Sequence, residues 1–389
     1  MSIAILQPTP FRKGHYFVYT NSLFNEIKYL GYRVKILSAI KTYAFLDKEK
    51  SNLNFNIYSV RGLIIYLFLC FLTVIRFIYF RKQFKKLIIL DCEYTCVSIL
   101  LILLKFLNWE GKIILQINAP NFDYDLSKEG FNIFRILKLV QSYVFRKSLS
   151  YSKVNISCLG EWHKNQLTKQ LSIDKNRIFI IEDGGGGIIK EIPKLNIIKK
   201  LKKESINYPK DKKKIFLLFG NIRRDKGHLF LKYFWDQYFN SPEDPLLWIV
   251  GHDEEKLTKR ILFKSNPNVV LHNSYVPFEL ISYIYQISDY AILPYLSNYR
   301  GGSGPLMKGA FTHSKLAIVA NVSEMGRLAK QENLAEYFQP ENESSLLSCL
   351  ERILKNNDEY YIDKIKFANK YANDRNWPNL TRKFLKTIN

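Results

Sequence analysis

The chain contains 389 residues, of which 47% are hydrophobic and 15% aromatic. This length exceeds one ordinary hydrophobic core and this composition excludes a disordered chain, so the sequence predicts two folded domains. The 58 Lys and Arg residues against 35 Asp and Glu give a formal net charge of +23, which favours a polyanionic partner or simply keeps the protein soluble.

Short β-rich runs alternate with helical stretches through the first half of the chain. The strand "SIAILQ" is followed by the helix "TNSLFNEIKYLG", which Gly31 ends, and by the strand "YRVKILSA". Four further strands are predicted at residues 85–91, 111–118, 153–159 and 176–183. Strands that alternate with helices indicate a parallel sheet with helices on both faces.

Lysines dominate residues 193–214, where nine Lys accompany two acidic residues and two prolines. This composition predicts an exposed connection between domains. The alternation then restarts, with strands at residues 214–220, 246–251, 268–274, 290–295 and 315–321. The predicted organisation is an N-terminal Rossmann-like domain at 1–192, a Lys-rich linker at 193–213, a C-terminal Rossmann-like domain at 214–370 and a helix at 371–389.

Three cations follow a predicted strand in "LLFGNIRRDKGHLF" (217–230). Gly220 ends the strand, and Arg223 and Lys226 lie on the loop or first helical turn beyond it, while Arg224 is expected to be an exposed neighbour. Amides at a helix start, together with guanidinium and ammonium groups, suit an anion such as a diphosphate. The alternative interpretation is a basic surface turn.

Two further loops follow strands at the same edge of their predicted sheets. In "YRGGSGPLMKGAF" (299–311) the glycines allow close approach of a ligand, Ser303 can cap the following helix or bond an oxygen, and the helix start offers amides to phosphate. A connection that serves only packing is the alternative. In "PFRKGHYFVYTNSL" (10–23), Gly14 and His15 follow the first strand, where His15 is either a catalytic or sugar-contacting group or a surface histidine.

Together these three elements, in this order and spacing, resemble a GT-B glycosyltransferase. The resemblance is closest to the large, mostly retaining "glycosyl transferases group 1" type family of capsule, exopolysaccharide and lipopolysaccharide synthesis. It covers nearly the whole chain, including "EWHKNQL" (161–167) and "NWPNLTRKFLKTI" (376–388). It implies an α/β fold of two Rossmann-like domains with an interdomain cleft, and a C-terminal helix that returns toward the N-terminal domain.

The resemblance also implies a nucleoside-diphosphate sugar as the donor substrate. Arg223 and Lys226 match the residues that neutralise the donor diphosphate and stabilise the departing nucleoside diphosphate, so no metal or other cofactor is expected. The matching positions in the loops complete the site. Gly14, Ser303 and Gly304 are the further diphosphate-binding candidates, and Gly251, His252, Val276, Pro277, Phe278 and Gly302 are the nucleotide-binding candidates.

The chain departs from the family pattern at two places. Gly301 and Gly309 occupy positions at which the family usually carries glutamates, and Asn118 stands where relatives often have His. Asn cannot act as a general base near neutral pH, although it can hydrogen-bond a sugar hydroxyl. The catalytic candidates are His15, Asn118 and Asp123. The "DYD" at 123–125 is interpreted as a coincidence rather than a metal site.

The segment "GLIIYLFLCFLTVIRFIYF" (62–80) nearly qualifies as a membrane-spanning helix by composition. It lies between strands of one predicted sheet, so we expect it to pack on that sheet. With Lys82, Lys85 and Lys86 nearby, its outer face would suit an anionic membrane surface. An unusually apolar core helix is the equal alternative.

The sequence therefore predicts a metal-independent glycosyltransferase that acts on a glycan or lipid-linked acceptor. A location in the cytoplasm, peripheral on the inner face of the plasma membrane, is expected because the five scattered cysteines favour reduced thiols and "MSIAILQPTPF" lacks the features of a cleaved signal. A non-hydrolysing nucleotide-sugar epimerase and a non-catalytic nucleotide-sugar-binding protein stay open. Nucleic-acid binding rests on charge only and is not expected.

Overall fold

The computed structural model describes residues 2–9, 15–39, 42–43, 60–90, 92–122, 133–151, 153–187, 189–210, 213–262, 265–356 and 358–388. The chain forms two compact units. Unit 1 comprises Met1–Glu182 with Trp377–Asn389, and unit 2 comprises Asp183–Asn376. Each unit contains one largely parallel sheet with helices packed on it, which confirms the predicted α/β class with two Rossmann-like halves.

The sheet of unit 1 has the strand order β3-β2-β1-β4-β5-β6-β7. The strands are β1 Ser2–Leu6, β2 Arg33–Leu37, β3 Thr42–Tyr43, β4 Lys86–Ile89, β5 Lys112–Gln116, β6 Val154–Cys158 and β7 Ile178–Ile180. All neighbours are parallel except β2 and β3. The six parallel strands are those predicted. The two-residue β3 was not predicted because it is too short to show a pattern.

The core of unit 1 is divided by its sheet, because side chains along a strand alternate between the two faces. On β1, Ile3 and Ile5 belong to one buried cluster, and Ala4 and Leu6 to the other. The first cluster is covered by helices His15–Tyr29 and Trp377–Ile388. The second is covered by helices Val60–Phe80, Tyr94–Phe106, Ile133–Ser148 and Glu161–Leu171. Short 3-10 turns at Arg81–Gln83 and Lys175–Arg177 precede β4 and β7.

The C-terminal helix Trp377–Ile388 belongs to unit 1. The Tyr19 ring packs edge-on against Trp377 with centroids 4.8 Å apart, and Lys383 Nζ donates to Glu182 Oε2 at 2.7 Å. Leu380 and Phe384 are buried against the sheet. The chain therefore ends on the N-terminal sheet, as the resemblance implied.

The sheet of unit 2 has the order β10-β9-β8-β11-β12-β13, with all neighbours parallel. The strands are β8 Ile215–Phe219, β9 Leu246–Val250, β10 Val269–His272, β11 Tyr290–Leu293, β12 Leu316–Ala320 and β13 Glu336–Phe338. The strand order reverses between β8 and β11. Loops leaving the carboxyl ends of these two strands diverge, and in open α/β sheets ligands bind at such a reversal.

Helices connect and cover the strands of unit 2. They are Lys194–Lys203, His228–Tyr238, Thr258–Ile261, Phe278–Ile287, Ser323–Lys330, Glu343–Lys355 and Ile362–Asn373, with a π-helix at Pro305–Phe311 and 3-10 turns at Arg224–Lys226 and Asp358–Tyr361. Trp235 on helix His228–Tyr238 and Trp248 on β9 are both fully buried in the core. One extensive cluster of buried side chains thus holds the unit together.

The Lys-rich segment predicted as a linker at 193–213 has a different structure. Helix Lys194–Lys203 places Ile197 and Leu201, four residues apart, on one face, and both are buried in the core of unit 2. The chain passes between the units at Glu182–Asp183 and Asn376–Trp377 rather than after residues 192 and 370. In the sequence these two apolar residues stand among many lysines, and composition alone therefore indicated an exposed connection.

We predict that Leu201→Ala destabilises unit 2 by about 2–5 kcal/mol, because a fully buried leucine leaves a cavity. Leu195 lies on the same helix with 62% of its surface exposed, so Leu195→Ala should change the free energy of unfolding by less than ~0.5 kcal/mol. Urea unfolding followed by the fluorescence of the buried tryptophans measures both variants. Equal destabilisation by the two substitutions would contradict the buried helix.

Candidate functional site

The cationic loop after β8 is packed tightly against the end of β11. Gly227 has φ +71°, in the left-handed region that favours glycine, and a Cβ there would overlap the carbonyl oxygen of Pro294. The amide of Leu296 donates to the Asp225 carbonyl at 2.9 Å. The loop is therefore held in one conformation by the strand on the other side of the reversal.

The two predicted motifs of unit 2 meet at Gly220. A Cβ on Gly220 would lie 3.1 Å from Lys226 Nζ and 3.4 Å from Cγ of Pro305, which begins the π-helix after the glycine-rich loop. Lys226 Nζ also lies 5.9 Å from the centre of the Tyr295 ring. The structure thus brings the cationic loop and the start of the glycine-rich loop's helix to one point.

The Lys226 ammonium is short of compensating charge. Burial and then the neighbouring Arg223 lower the pKa of Lys226 to about 8, against the opposing influence of Asp225 and Glu254. A lysine whose charged form is disfavoured in this way gains from an added anion. The electrostatics of the loop therefore suit the predicted phosphate ligand.

The guanidinium of Arg223 is oriented by a carboxylate two residues away. Arg223 Nε donates to Asp225 Oδ1 at 3.0 Å and Nη2 donates to Oδ2 at 2.6 Å. Arg224 points elsewhere: its side chain is 69% exposed, with Nε 3.6 Å from Glu255. This supports the predicted ranking of the two arginines. Asp225 was not singled out in the sequence, where a lone acid among bases gives no motif.

His228 fixes the backbone of the same loop. It is completely buried, and its Nδ1 lies 3.1 Å from the Arg223 carbonyl oxygen, which requires Nδ1–H as the donor. Burial, followed by Lys226, lowers the pKa of His228 to about 3, so the ring is neutral. The histidine positions Arg223 without adding a charge. Only its place directly after Lys226 and Gly227 could have signalled this role.

Ser303 closes the glycine-rich loop. The Leu306 amide approaches Ser303 Oγ at 3.3 Å, and Tyr295 hydroxyl lies 3.3 Å from the same oxygen, so the predicted capping role is present. The amides of Leu306 and Met307 both donate to the Ser303 carbonyl at 3.1 Å. These two amides belong to the first turn of the helix, so a phosphate at the helix start would have to meet amides that precede Leu306; the expectation that the helix start offers amides to phosphate stays a prediction.

Two tyrosine rings, tilted relative to each other, support this loop. The Tyr295 and Tyr299 rings lie 4.5 Å apart, and Tyr299 donates from its hydroxyl to the Gly302 carbonyl at 2.6 Å. Burial raises the pKa of Tyr295 to about 12, so it remains a neutral hydroxyl. The helix that follows is wound as a π-helix rather than an α-helix, a form often found at functional sites.

A buried ion pair lies beside the glycine-rich loop. Lys308 Nζ on the π-helix lies 2.9 Å from Asp183 Oδ1, and Asp183 Oδ2 lies 3.8 Å from where a Gly304 Cβ would be. Asp183 begins the "DGGGG" segment, whose Gly186 amide donates to Thr312 Oγ1 at 2.8 Å. Neither charged residue was predicted for the site, because the two lie far apart in the sequence and match no motif.

Tyrosines occupy the space beside Gly301 and Gly309. A Cβ on Gly309 would overlap the Tyr285 hydroxyl, which donates to the Pro305 carbonyl at 3.1 Å. A Cβ on Gly301 would lie 2.9 Å from the Tyr299 hydroxyl. Glutamates could not be accommodated at these two positions unless the tyrosines moved.

The nucleotide-binding candidates fall into two groups. Gly251 follows β9 and packs directly on the Gly220 backbone, and the His252 carbonyl accepts from Ile222 N at 2.8 Å. These residues adjoin the cationic loop. Val276, Pro277 and Phe278 follow the edge strand β10, two strands from β8, and Val276 is buried in the core.

The structure describes only some of the candidate site residues of unit 1. Gly14 and Asp123 lie outside the described residues, as does the side chain of His15, whose backbone begins helix His15–Tyr29. Asn118 follows β5, and its Oδ1 accepts from Gln116 Nε2 at 2.8 Å. Within the described residues, no group of three or more His, Cys, Asp or Glu side chains is arranged to hold a metal ion.

No protein-family model and no curated protein matches the sequence. Solved structures do resemble it over the full chain. A glycosyltransferase from Rickettsia africae ESF-5 has 16% identity and a TM-score of 0.68, covering 100% of this chain and 97% of that one. Sucrose-phosphate synthase from Thermosynechococcus elongatus has 12% identity and a TM-score of 0.71, covering 99% and 97%.

Anabaena HepE in complex with UDP-glucose is also similar in structure, with 12% identity, a TM-score of 0.69 and coverage of 100% of this chain and 99% of HepE. These likenesses confirm the expected GT-B fold of two Rossmann-like domains.

We predict that nucleoside diphosphate binding weakens as the pH rises above about 8. A bound diphosphate would raise the pKa of Lys226 from its value of about 8, so binding takes up a proton at higher pH. The affinity for the nucleoside diphosphate should be highest below about pH 8 and should fall above it by up to about tenfold per pH unit. Calorimetric titration of UDP and ADP between pH 7 and 9 measures this dependence.

Lys226→Arg is the matched control, because a guanidinium keeps its charge throughout this range. Its affinity should be nearly constant with pH. A flat profile in the unsubstituted protein would exclude contact between Lys226 and the diphosphate.

Proposed function

We propose that the protein is a glycosyltransferase that moves a sugar from a nucleoside-diphosphate sugar to a glycan or lipid-linked acceptor in cell-surface polysaccharide synthesis. The observation that carries the proposal is that Lys226, with Arg223 nearby, meets the start of the glycine-rich loop's helix where the strand order of unit 2 reverses. The GT-B fold supports it, since solved neighbours of this fold include a protein complexed with UDP-glucose.

The two cations would act on the leaving group. As the bond between the anomeric carbon and the β-phosphate oxygen breaks, negative charge develops on the departing nucleoside diphosphate. Lys226, with its lowered pKa, and Arg223, aimed by Asp225, would stabilise that charge. The acceptor hydroxyl oxygen then bonds to the anomeric carbon, and its proton passes to a phosphate oxygen of the departing nucleoside diphosphate. This charge supply is the basis for proposing a metal-independent reaction without a cofactor.

The remaining groups of unit 2 would position the donor. Gly251 and His252 adjoin the cationic loop on the β9 side, which suits the nucleoside end. The Asp183–Lys308 pair adjoins the glycine-rich loop and offers both an acceptor and donors to sugar hydroxyls. These polar groups would hold the donor between the cationic loop and the glycine-rich loop.

We also propose that the protein works at the cytoplasmic face of the plasma membrane as a peripheral protein. The support is the long apolar helix Val60–Phe80, together with the net charge of +23. Such a location would bring the chain to lipid-linked acceptors.

We predict that the double variant Arg223→Ala, Lys226→Ala loses nucleoside diphosphate binding by at least about tenfold, since each charge-assisted hydrogen bond contributes roughly 1.5–3 kcal/mol. Arg224→Ala removes the exposed neighbouring cation and should change the affinity by less than about twofold, as expected for a solvated charge. Thermal stabilisation by UDP and ADP, and calorimetry, provide the measurements. Equal binding by the double variant and the unsubstituted protein would refute the diphosphate assignment.

Screening nucleoside-diphosphate sugars for thermal stabilisation, then measuring nucleoside diphosphate release with and without lipid-linked glycans, tests the reaction itself. Acceptor-dependent release that persists in EDTA would support the proposed metal-independent transfer. Conversion of the donor sugar without an acceptor would identify an epimerase instead. Binding without any turnover would identify a nucleotide-sugar-binding protein.

A further inference from the structure

Three helices of unit 1 form a continuous layer on one face of its sheet. Helix Val60–Phe80 packs against Tyr94–Phe106, which in turn packs against Ile133–Ser148. Their inner sides are anchored in the core: Phe77, Leu100 and Phe145, one from each helix, are fully buried. The layer is therefore a firmly held part of the unit.

The outer side of this layer is strongly apolar. More than half of the exposed large hydrophobic side chains that the structure describes lie on these three helices. We call this surface the three-helix face; its exposed members are Leu63, Ile64, Phe68, Phe71, Ile75, Tyr79, Ile99, Ile102, Leu103, Phe106, Val140, Tyr143 and Val144. Soluble monomers rarely expose a contiguous apolar surface of this kind, which marks an interaction site.

Helix Val60–Phe80 contributes the largest share of the face. Only 28% of the most apolar 18-residue stretch of this helix is buried. The length and composition of the helix would nevertheless allow it to cross a membrane. The buried residues of the helix follow a helical spacing: Cys70, Val74 and Phe77 lie four and three residues apart, on the side that faces the sheet. An ordinary core helix of this hydrophobicity would be covered on its other side as well, so the interpretation as a core helix alone does not fit.

The three-helix face is built from helices whose charged residues are all basic, while Glu93 caps the start of helix Tyr94–Phe106. Its helices contain seven basic residues and no acidic residue, namely Arg61, Arg76, Lys105, Arg135, Lys138, Arg146 and Lys147. Lys105, Lys138 and Lys147 are exposed, and Lys147 Nζ lies 5.6 Å from the centre of the Tyr143 ring. Long cationic side chains among exposed aromatic rings match a surface that is apolar within and anionic at its rim.

Crossing the bilayer is incompatible with the sheet. Helix Val60–Phe80 is inserted between β2 and β4, and both strands pair with β1 in parallel register. A helix that crossed the membrane would separate β2 from β4 and break those pairs. The helix can meet lipid only along its side.

We propose that the three-helix face docks on an anionic bilayer, with helix Val60–Phe80 lying in the plane of the interface. The apolar side chains enter the boundary between headgroups and acyl chains, and the cations contact lipid phosphates. This inference deepens the membrane location proposed above and rests on it. It does not depend on the transfer reaction, because every residue involved belongs to these helices of unit 1.

Flotation with vesicles of phosphatidylcholine containing phosphatidylglycerol tests the proposal. The unsubstituted protein should float with these vesicles, and much less with phosphatidylcholine alone. Ile64→Ser, Phe68→Ser, Phe106→Ser should reduce binding at least tenfold. Lys105→Gln, Lys138→Gln, Lys147→Gln should reduce it by about fivefold per lysine. Failure of the unsubstituted protein to bind anionic vesicles would overturn the docking surface.

Matched controls separate the face from general hydrophobicity and charge. Leu262→Ser, Leu354→Ser, Phe367→Ser removes exposed apolar side chains of unit 2, and Lys199→Gln, Lys202→Gln, Lys203→Gln removes three exposed lysines there. Both controls should bind vesicles as the unsubstituted protein does. If they lose binding as strongly as the three-helix variants, the assignment to this face is refuted.

Two further measurements address other occupants of the face. Alkaline carbonate should release the protein from the vesicles, whereas retention would indicate a spanning helix and contradict docking in the plane. Sedimentation should show a monomer without lipid; a dimer that the Ile64, Phe68, Phe106 variant dissociates would assign the face to a second copy. Nucleoside diphosphate binding should be unchanged in all variants of the face, which distinguishes failure here from failure of the proposed reaction.

Discussion

The partly buried ammonium of Lys226, held where the cationic loop packs against the end of β11, is the feature on which the candidate site depends. Lys226 lies against Gly220 and Tyr295, near Arg223, where its own charged form is disfavoured. The loop cannot relax away, because Gly227 packs on Pro294 and His228 holds the Arg223 carbonyl. The fold therefore maintains unsatisfied positive potential at the reversal of strand order, and an anion is the ligand that removes this cost.

The positive charge of the chain serves different surfaces in the two units. In unit 2 a few cations are fixed by packing and by Asp225, so they define a site. On the Lys194–Lys203 helix the lysines are solvated and only the apolar stripe matters structurally. In unit 1 basic residues accompany an apolar helical layer. The composition alone suggested one polyanionic partner, whereas the structure separates three physical roles for the same residue types.

Apolar runs predicted the six parallel strands of unit 1 and five of the six strands of unit 2 to within about three residues, because a buried parallel strand must be apolar on both faces. Strand β13 was not predicted, because it has only three residues and its central Tyr337 is exposed. The Gly220–Gly227 loop was predictable for a similar reason, since strand, glycine and cations are contiguous. The Lys194–Lys203 helix was missed because only two of its side chains, Ile197 and Leu201, are fully buried. Asp183 and Lys308 were missed because only folding brings them together.

The departure from the family pattern has a structural explanation in the packing of tyrosines. Tyr285 fills the space beside Gly309, and Tyr299 fills that beside Gly301, while both hydroxyls bond backbone carbonyls of the loop and its helix. The rings therefore stabilise the loop at the positions where the resemblance places carboxylates. Asp183 places a carboxylate beside this loop, and this carboxylate is already paired with Lys308. Beside this loop the chain therefore has an ion pair and two tyrosine rings instead of the two separate glutamates that the resemblance implies.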